Sequence, residues 1–248
     1  MASTDVQPNR ASSPQALPGR RHDHLFFSLM ALLLLATVFI GFAPTYYLAG
    51  TLHAALPSRT IHVHAVVFTV WMLLFAAQVS LVSVHRVDLH RRLGMIGFLL
   101  ACAMVITGLL AAADALVRNV ASGLGDTLFM VNVSMAVMFA VLMAFAYRMR
   151  SNPAAHKRLI LIADIALMFA PLIRLPIASL YHNIPFATRS SYLFLLPIML
   201  YDLWSTRRIQ RVTLWSSAFV VSVFEVRFLV AKTMAWHALA VWIRSKAA

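Results

Sequence analysis

The chain has 248 residues, 61% of them hydrophobic and 12% charged, with a mean hydropathy of +0.81 and a formal net charge of +13. Soluble domains carry about a quarter charged residues, so this composition excludes a soluble globular fold and requires a polytopic membrane protein. The basic excess lies in short gaps between apolar runs, where bilayer orientation demands it, and this placement argues against nucleic acid as its partner.

Residues 1–24 are rich in Pro, Ser and Arg, have no apolar period, and read as a disordered cytoplasmic tail. The apolar run behind them, about 25 residues, is too long for the h-region of a signal peptide. Residues 25–248 read as one all-α transmembrane domain, a polytopic helical bundle in contact with the lipid bilayer. About 20 apolar residues cross the hydrocarbon core, and seven spans follow at approximately 25–49, 61–84, 93–117, 126–147, 159–181, 190–205 and 212–231. The third holds Cys102, and with one cysteine in the chain there is neither a disulfide framework nor a cysteine-based zinc site. The sixth is short and contains Pro197. Beyond the seventh, "TMAWHALAVWIRSKAA" brings Trp236 and Trp242, residues suited to a membrane interface, as a separate surface helix or an extension of the last span.

Orientation follows from charge. One side collects Arg10, Arg20, Arg21, Arg86, Arg91, Arg92, Arg148, Arg150, Lys157, Arg158, Arg207, Arg208 and Arg211; the other holds Arg59, Arg118, Arg189, Lys232, Arg244 and Lys246. The positive-inside rule then predicts a cytoplasmic N-terminus and, with seven spans, a C-terminus outside. The expected location is a cytoplasmic membrane.

Two phrases repeat. His-Arg-Arg-Leu at 90–93 and His-Lys-Arg-Leu at 156–159 each open a span from the cytoplasmic side. Basic residues there can simply snorkel to headgroups, which leaves the histidines to explain. On the predicted spans, His85, His90 and His156 lie at the inner face, and His53, His62, His64 and His182 at the outer face with His237 near them. His22 and His24 fall in the tail. Two histidines on facing helices can hold a haem iron axially. Pairing His90 with His156 and His64 with His182 would stack two haem b sites, with Arg91, Arg92, Lys157 and Arg158 available to the inner propionates. This resembles the two-haem transmembrane cytochrome b family reduced by ascorbate, although in that family the ligands sit further inside the helices. "HVH" at 62–64 is a weak metal signal, because on a helix its rings diverge by about 200°. No HExxH, GxSxG or phosphate-cradling glycine loop occurs. A membrane hydrolase built on Asp114 and the outer histidines is a minor alternative.

Charged residues inside spans are costly and face the bundle interior. Asp164 and Arg174 lie in the fifth span, Glu225 and Arg227 in the seventh, while Gln78, Thr107 and Asn132 are uncharged and can bond across helices. The charges form either an ion-pair cluster locking the two helices or a proton or substrate path. At 1.5 Å per residue, Arg174 and Glu225 come to roughly the same depth and are expected to pair. Asp164 lies roughly 15 Å from Arg174 on that rise, and Arg227 faces away from Glu225.

In the second span His64, Trp71 and Gln78 recur every seven residues, on one helical stripe. The stripe reads as an interhelical seam before it reads as a cofactor wall. His62, His64, Trp71, Gln78, His90, Arg91, Arg92, Leu93 and Gly94 form an H-x-H, W, Q, H-R-R-L-G pattern that resembles a group of uncharacterised bacterial multi-pass membrane proteins. The likeness runs over roughly 25–245, is specific mainly over 61–94, and extends to "HKRL" at 156–159 and to Trp236. Where that group ends its last span with Pro-x-Arg, this chain keeps Arg227 and has Glu225 in the proline's place. The resemblance implies architecture and no chemistry. The sequence therefore leads to a haem b-binding electron-transfer protein, with a non-redox small transporter or an interaction partner within a membrane complex as the alternative.

Overall fold

Long apolar runs bounded by capping residues fold into helices that hydrogen-bond their own backbone, the arrangement a bilayer permits. The computed structural model describes residues 19–53, 57–118 and 125–247, and every regular element among them is helical. Helix α1 (Gly19–Phe42) runs into a π-helical segment, Ala43–Tyr47. Pro44 cannot donate to the carbonyl four residues back, which gives a physical reason for the change of register there. Then come α2 (Arg59–Ser83), α3 (Val87–Arg118) and α4 (Gly125–Arg148). Shorter helices α5 (Pro153–Ile165), α6 (Phe169–Leu172), α7 (Ile184–Tyr192) and α8 (Leu195–Thr206) follow, before α9 (Arg211–Val230) and α10 (Met234–Ala247). Ser58, Asn152 and Asn183 cap α2, α5 and α7 by accepting from Ile61, Ala155 and Phe186 backbone N–H groups.

Five of the predicted spans are helices long and apolar enough to cross a membrane, those of α1, α2, α3, α4 and α9. The fifth and sixth predicted spans are instead broken. After Ile165 the chain turns through Ala166, Leu167 and Met168, restarts as α6, and leaves helix again after Leu172. Pro171 accounts for the first break, since it lacks an N–H and its ring collides with the carbonyl of Leu167. Pro197 acts likewise on Leu193, where α7 ends, and sits comfortably in the first turn of α8, whose N–H groups have no intrahelical acceptor. The irregular stretch 166–168 is buried in protein, as backbone must be at that depth. Two further boundaries move. Residues 19–24, placed in the tail, belong to α1, while 1–18 lie outside the described residues. The C-terminal segment is a separate helix, turned off α9 at residues 231–233.

α4 is the most buried of the five long helices and packs against α3, α5, α9 and α10. Leu34, Met72, Met138, Leu142, Leu159, Ile162 and Phe224 are fully enclosed around it. Leu32, Leu99, Ile106, Leu200 and Leu229 are exposed, an apolar exterior that a lipid solvent accepts. Gly41 lets α1 press on α6: a Cβ there would stand 2.4 Å from the Pro171 carbonyl oxygen. Because the obstacle is backbone, Gly41→Ala should destabilise by about 1–3 kcal/mol or more. Gly50→Ala, with nothing within 4 Å of its Cβ, should be near neutral. Thermal unfolding of the two variants in detergent checks this; equal melting points would contradict the contact.

Candidate functional site

The helices alternate in direction, so basic phrases far apart in sequence meet at one end of the bundle. His90, near the start of α3, and His156, in α5, have ring centroids 6.4 Å apart at 81°. The His156 Nδ1 lies 2.8 Å from the Ala146 carbonyl oxygen, which makes Nδ1 the protonated nitrogen and leaves Nε2 with a lone pair. His90 Nδ1 is buried without a hydrogen-bond partner, as is Gln78 Oε1, while Gln78 Nε2 donates to the His90 carbonyl. His24 and His85 form a second ring pair at 5.6 Å.

Beside them, Arg158 points inward. Its Nε and Nη2 donate to Asp202 Oδ1 at 2.9 and 2.5 Å, and Nη1 donates to the Ala154 carbonyl. Asp202 Oδ2 accepts from the Gln210 backbone N–H and the Thr213 hydroxyl. The pair is buried and joins α5, α8 and α9. Arg91 and Arg92 of the first phrase are exposed. Lys157 pairs with Asp23 at 2.8 Å, and Asp23 also accepts from Tyr201.

The stripe on α2 is an interhelical seam, each member bonded to another helix. His64 Nδ1 is 3.3 Å from Thr107 Oγ1, Trp71 Nε1 donates to Asp164 Oδ1 at 2.7 Å, and Gln78 reaches the His90 backbone. Asp164 is wholly enclosed, with Oδ2 unpartnered. Because the Thr107 hydroxyl proton goes to the Ala103 carbonyl, His64 Nδ1 is the donor and its Nε2 remains an acceptor.

At the opposite end a cavity of about 270 Å³ opens between α1, its π-helical extension, α2, α3, α4 and the α5–α6 break. Phe42, Phe68, Phe139 and Met135 supply apolar wall; Tyr46, His64, Asn132 and Arg174 supply polar groups, and no described lining residue is Asp or Glu. The expected Arg174–Glu225 ion pair does not form. Arg174 Nη1 donates to the Ala170 carbonyl at 2.6 Å and the guanidinium lies 4.8 Å from the Phe42 ring centroid, while Glu225 accepts from the Tyr192 hydroxyl on an exposed face. Arg227 is buried, as its opposition to Glu225 requires; it donates to Thr188 and is surrounded by the rings of Phe169, Phe224 and Phe228.

The other outer histidines have local work. His182 stands on an exposed turn with φ 56°, its ring against Tyr181, while His64 faces Thr107 in the bundle. His53, and at the inner face His85, likewise hold left-handed turn positions, a conformation in which histidine is enriched. His62 bonds to the Tyr46 hydroxyl, and His237 to Asp126, which also takes Arg244 and the indole N–H of Trp236 and so fastens α10 to α4. Asp114 is occupied by Ser58 and Arg118. No group of three or more metal-binding side chains occurs among the described residues.

Comparison with known proteins finds no matching family, no matching curated protein and no matching solved structure.

Sequence reasoning passed over Asp202, although a carboxylate within "IMLYDLW" is the same kind of signal as Asp164. Asp202→Ala should cost about 3–5 kcal/mol by stranding the buried Arg158 guanidinium. Arg158→Ala should cost as much, and the double variant little more than either single one. Equilibrium unfolding of the three proteins in one detergent measures the coupling, and additive losses would refute it.

Proposed function

We propose that this chain is a multi-pass protein of the bacterial cytoplasmic membrane that binds a small, largely apolar molecule in the cavity beside His64 and Arg174, as the binding step of a non-redox small transporter. One observation carries the reading: a concave, aromatic-lined space with a few convergent polar groups, set against a broken helix. Such cavities are where small ligands bind, and discontinuous helices at membrane depth belong beside them. The segregation of basic residues toward the His90 end supports an N-terminus in the cytoplasm and a C-terminus outside, with the two broken passages completing seven crossings. A phosphatase fusion at the C-terminus should be active and a fluorescent-protein fusion dark; the reverse would overturn that orientation.

The binding test uses small neutral aromatics, toluene and indole, on the full chain in nanodiscs. A ligand at a hundred times its Kd stabilises by about 2.7 kcal/mol, an easily read rise in melting temperature. Ala111→Phe, which fills the cavity from α3, should remove the rise without lowering the melting point of the free protein. A rise that survives the filling substitution places the ligand elsewhere.

The second reading, haem b held for electron transfer, rests on His90 and His156. Their ring centroids lie 6.4 Å apart, and the partnerless His90 Nδ1 together with the His156 ring oriented by Ala146 would be the groups that hold it. When bound, haem would supply one-electron chemistry, while the two histidines would hold it in place. The purified protein should then show a Soret band that His90→Ala and His156→Ala each weaken. A colourless protein from haem-replete cells ends this reading.

A further inference from the structure

The bundle buries two guanidinium groups and half-buries a third, and they differ in what they leave unsatisfied. Arg158 spends Nε, Nη1 and Nη2 on Asp202 and Ala154. Arg227 is 2% exposed and boxed by three phenylalanine rings; Nη2 donates to Thr188, while Nε and Nη1 are buried without a hydrogen-bond partner and away from the cavity lining. Arg174 alone lines the cavity and keeps part of its surface accessible there. It makes one hydrogen bond to protein, through Nη1 to the Ala170 carbonyl, and among the described residues it has no carboxylate partner. A guanidinium has five N–H donors in a planar fork, so most of the Arg174 donor set is uncommitted.

None of the acids among the described residues pairs with it: Asp164 accepts from Trp71 through Oδ1 and leaves Oδ2 unpartnered, Asp114 takes Ser58 and Arg118, and Glu225 takes Tyr192. A cation in hydrocarbon without a counter-charge is costly, and the Phe42 ring face offsets only a part of that cost. An occupant of the cavity that carried a negative charge would restore the balance.

We infer that the cavity ligand is a small monocarboxylate with an aromatic or compact apolar body, its carboxylate held by Arg174. This rests on the cavity-binding reading and names its ligand class. One guanidinium matches one carboxylate in a bidentate pair, whereas a doubly charged phosphate would leave charge unbalanced beside an apolar wall. Asn132, whose side chain makes no hydrogen bond to the described residues, lines the same cavity and adds two amide donors. The size also limits the ligand. A cavity of about 150 Å³ accommodates benzene, so about 270 Å³ suits roughly ten to twelve heavy atoms. The rings of Phe42, Phe68 and Phe139 favour an aromatic body.

The test measures affinity by thermal shift on the full chain in nanodiscs at neutral pH, with benzoate, benzamide, phenyl phosphate and toluene as probes. Benzoate should bind at least about tenfold more tightly than benzamide or phenyl phosphate. Arg174→Gln should abolish that preference while leaving toluene binding in place, and Arg174→Lys should retain a weaker one. Should Arg174→Gln fail to fold, the benzoate-to-benzamide ratio of the native protein and the Arg174→Lys value still decide. Equal affinity for benzoate and benzamide, or a benzoate preference that persists in Arg174→Gln, overturns the inference. Toluene binding without benzoate binding overturns the carboxylate assignment and spares the cavity reading. Failure of every probe overturns both.

Discussion

Arg158 and Asp202 meet where three helices, α5, α8 and α9, come together. α5 and α8 are too short to cross a bilayer as continuous helices, and α9 begins only after the turn that follows Thr206. Charged groups removed from water stabilise a fold only when nearly every donor and acceptor is satisfied. Here the guanidinium spends all three nitrogens and both carboxylate oxygens are occupied, with Gln210 and Thr213 drawing the start of α9 onto the same point. That knot fixes the N-terminal end of α5, while Pro171 sets where the chain breaks. The break in turn places Arg174, because the residues beyond Ile165 no longer follow the axis that Arg158 anchors.

The break and the cavity are consequences of one another. Pro171 ends the regular hydrogen-bond ladder, and the loosened backbone is tolerable only inside protein. α1 supplies that cover by close approach at Gly41, where no side chain could intervene. Immediately beyond, α1 itself changes to π geometry over Ala43–Tyr47, and its Thr45, Tyr46 and Tyr47 join the cavity wall. Two helices therefore depart from regular α geometry at the same level, and the space between them is what regular packing would have filled. Small residues on α3 keep the opposite wall thin: Gly108, where an added Cβ would touch the His64 ring at 3.5 Å, and Ala111, Ala112 and Ala115 line the cavity.

Much of this was legible in the sequence, and the failures share a cause. The long helices were readable because more than 20 consecutive apolar residues have no other stable state in a bilayer. The His64, Trp71 and Gln78 stripe was readable because α2 is unbroken, so that a spacing of seven keeps its meaning along the helix. Depth arithmetic failed for Arg174 and Glu225 because it treated 159–181 as one helix. Equal depth says nothing about azimuth, and a turn at 166–168 rotates everything after it. Hydropathy averages over Pro171 and Pro197, although each proline on its own predicts a break. The turn histidines were missed for a different reason: a positive φ at His53, His85 and His182 belongs to the local backbone path, which composition does not encode.

The repeated basic phrase shows how far a shared pattern constrains two places. Both copies begin with a histidine, and those two rings do meet. The arginines that follow part ways. In the first copy the surroundings are the end of α2 and open surface, and Arg91 and Arg92 stay exposed, as snorkelling residues do. In the second, α8 brings Asp202 within reach, and Arg158 turns into the core while Lys157 finds Asp23. Four letters specify a helix start and a local excess of positive charge. Whether that charge serves the membrane surface, the core or a ligand depends on which carboxylates the rest of the fold delivers. By the same reasoning Arg174 and Arg227 both lack a carboxylate among the described residues, and they differ in that Arg227 is enclosed by rings while Arg174 faces a cavity.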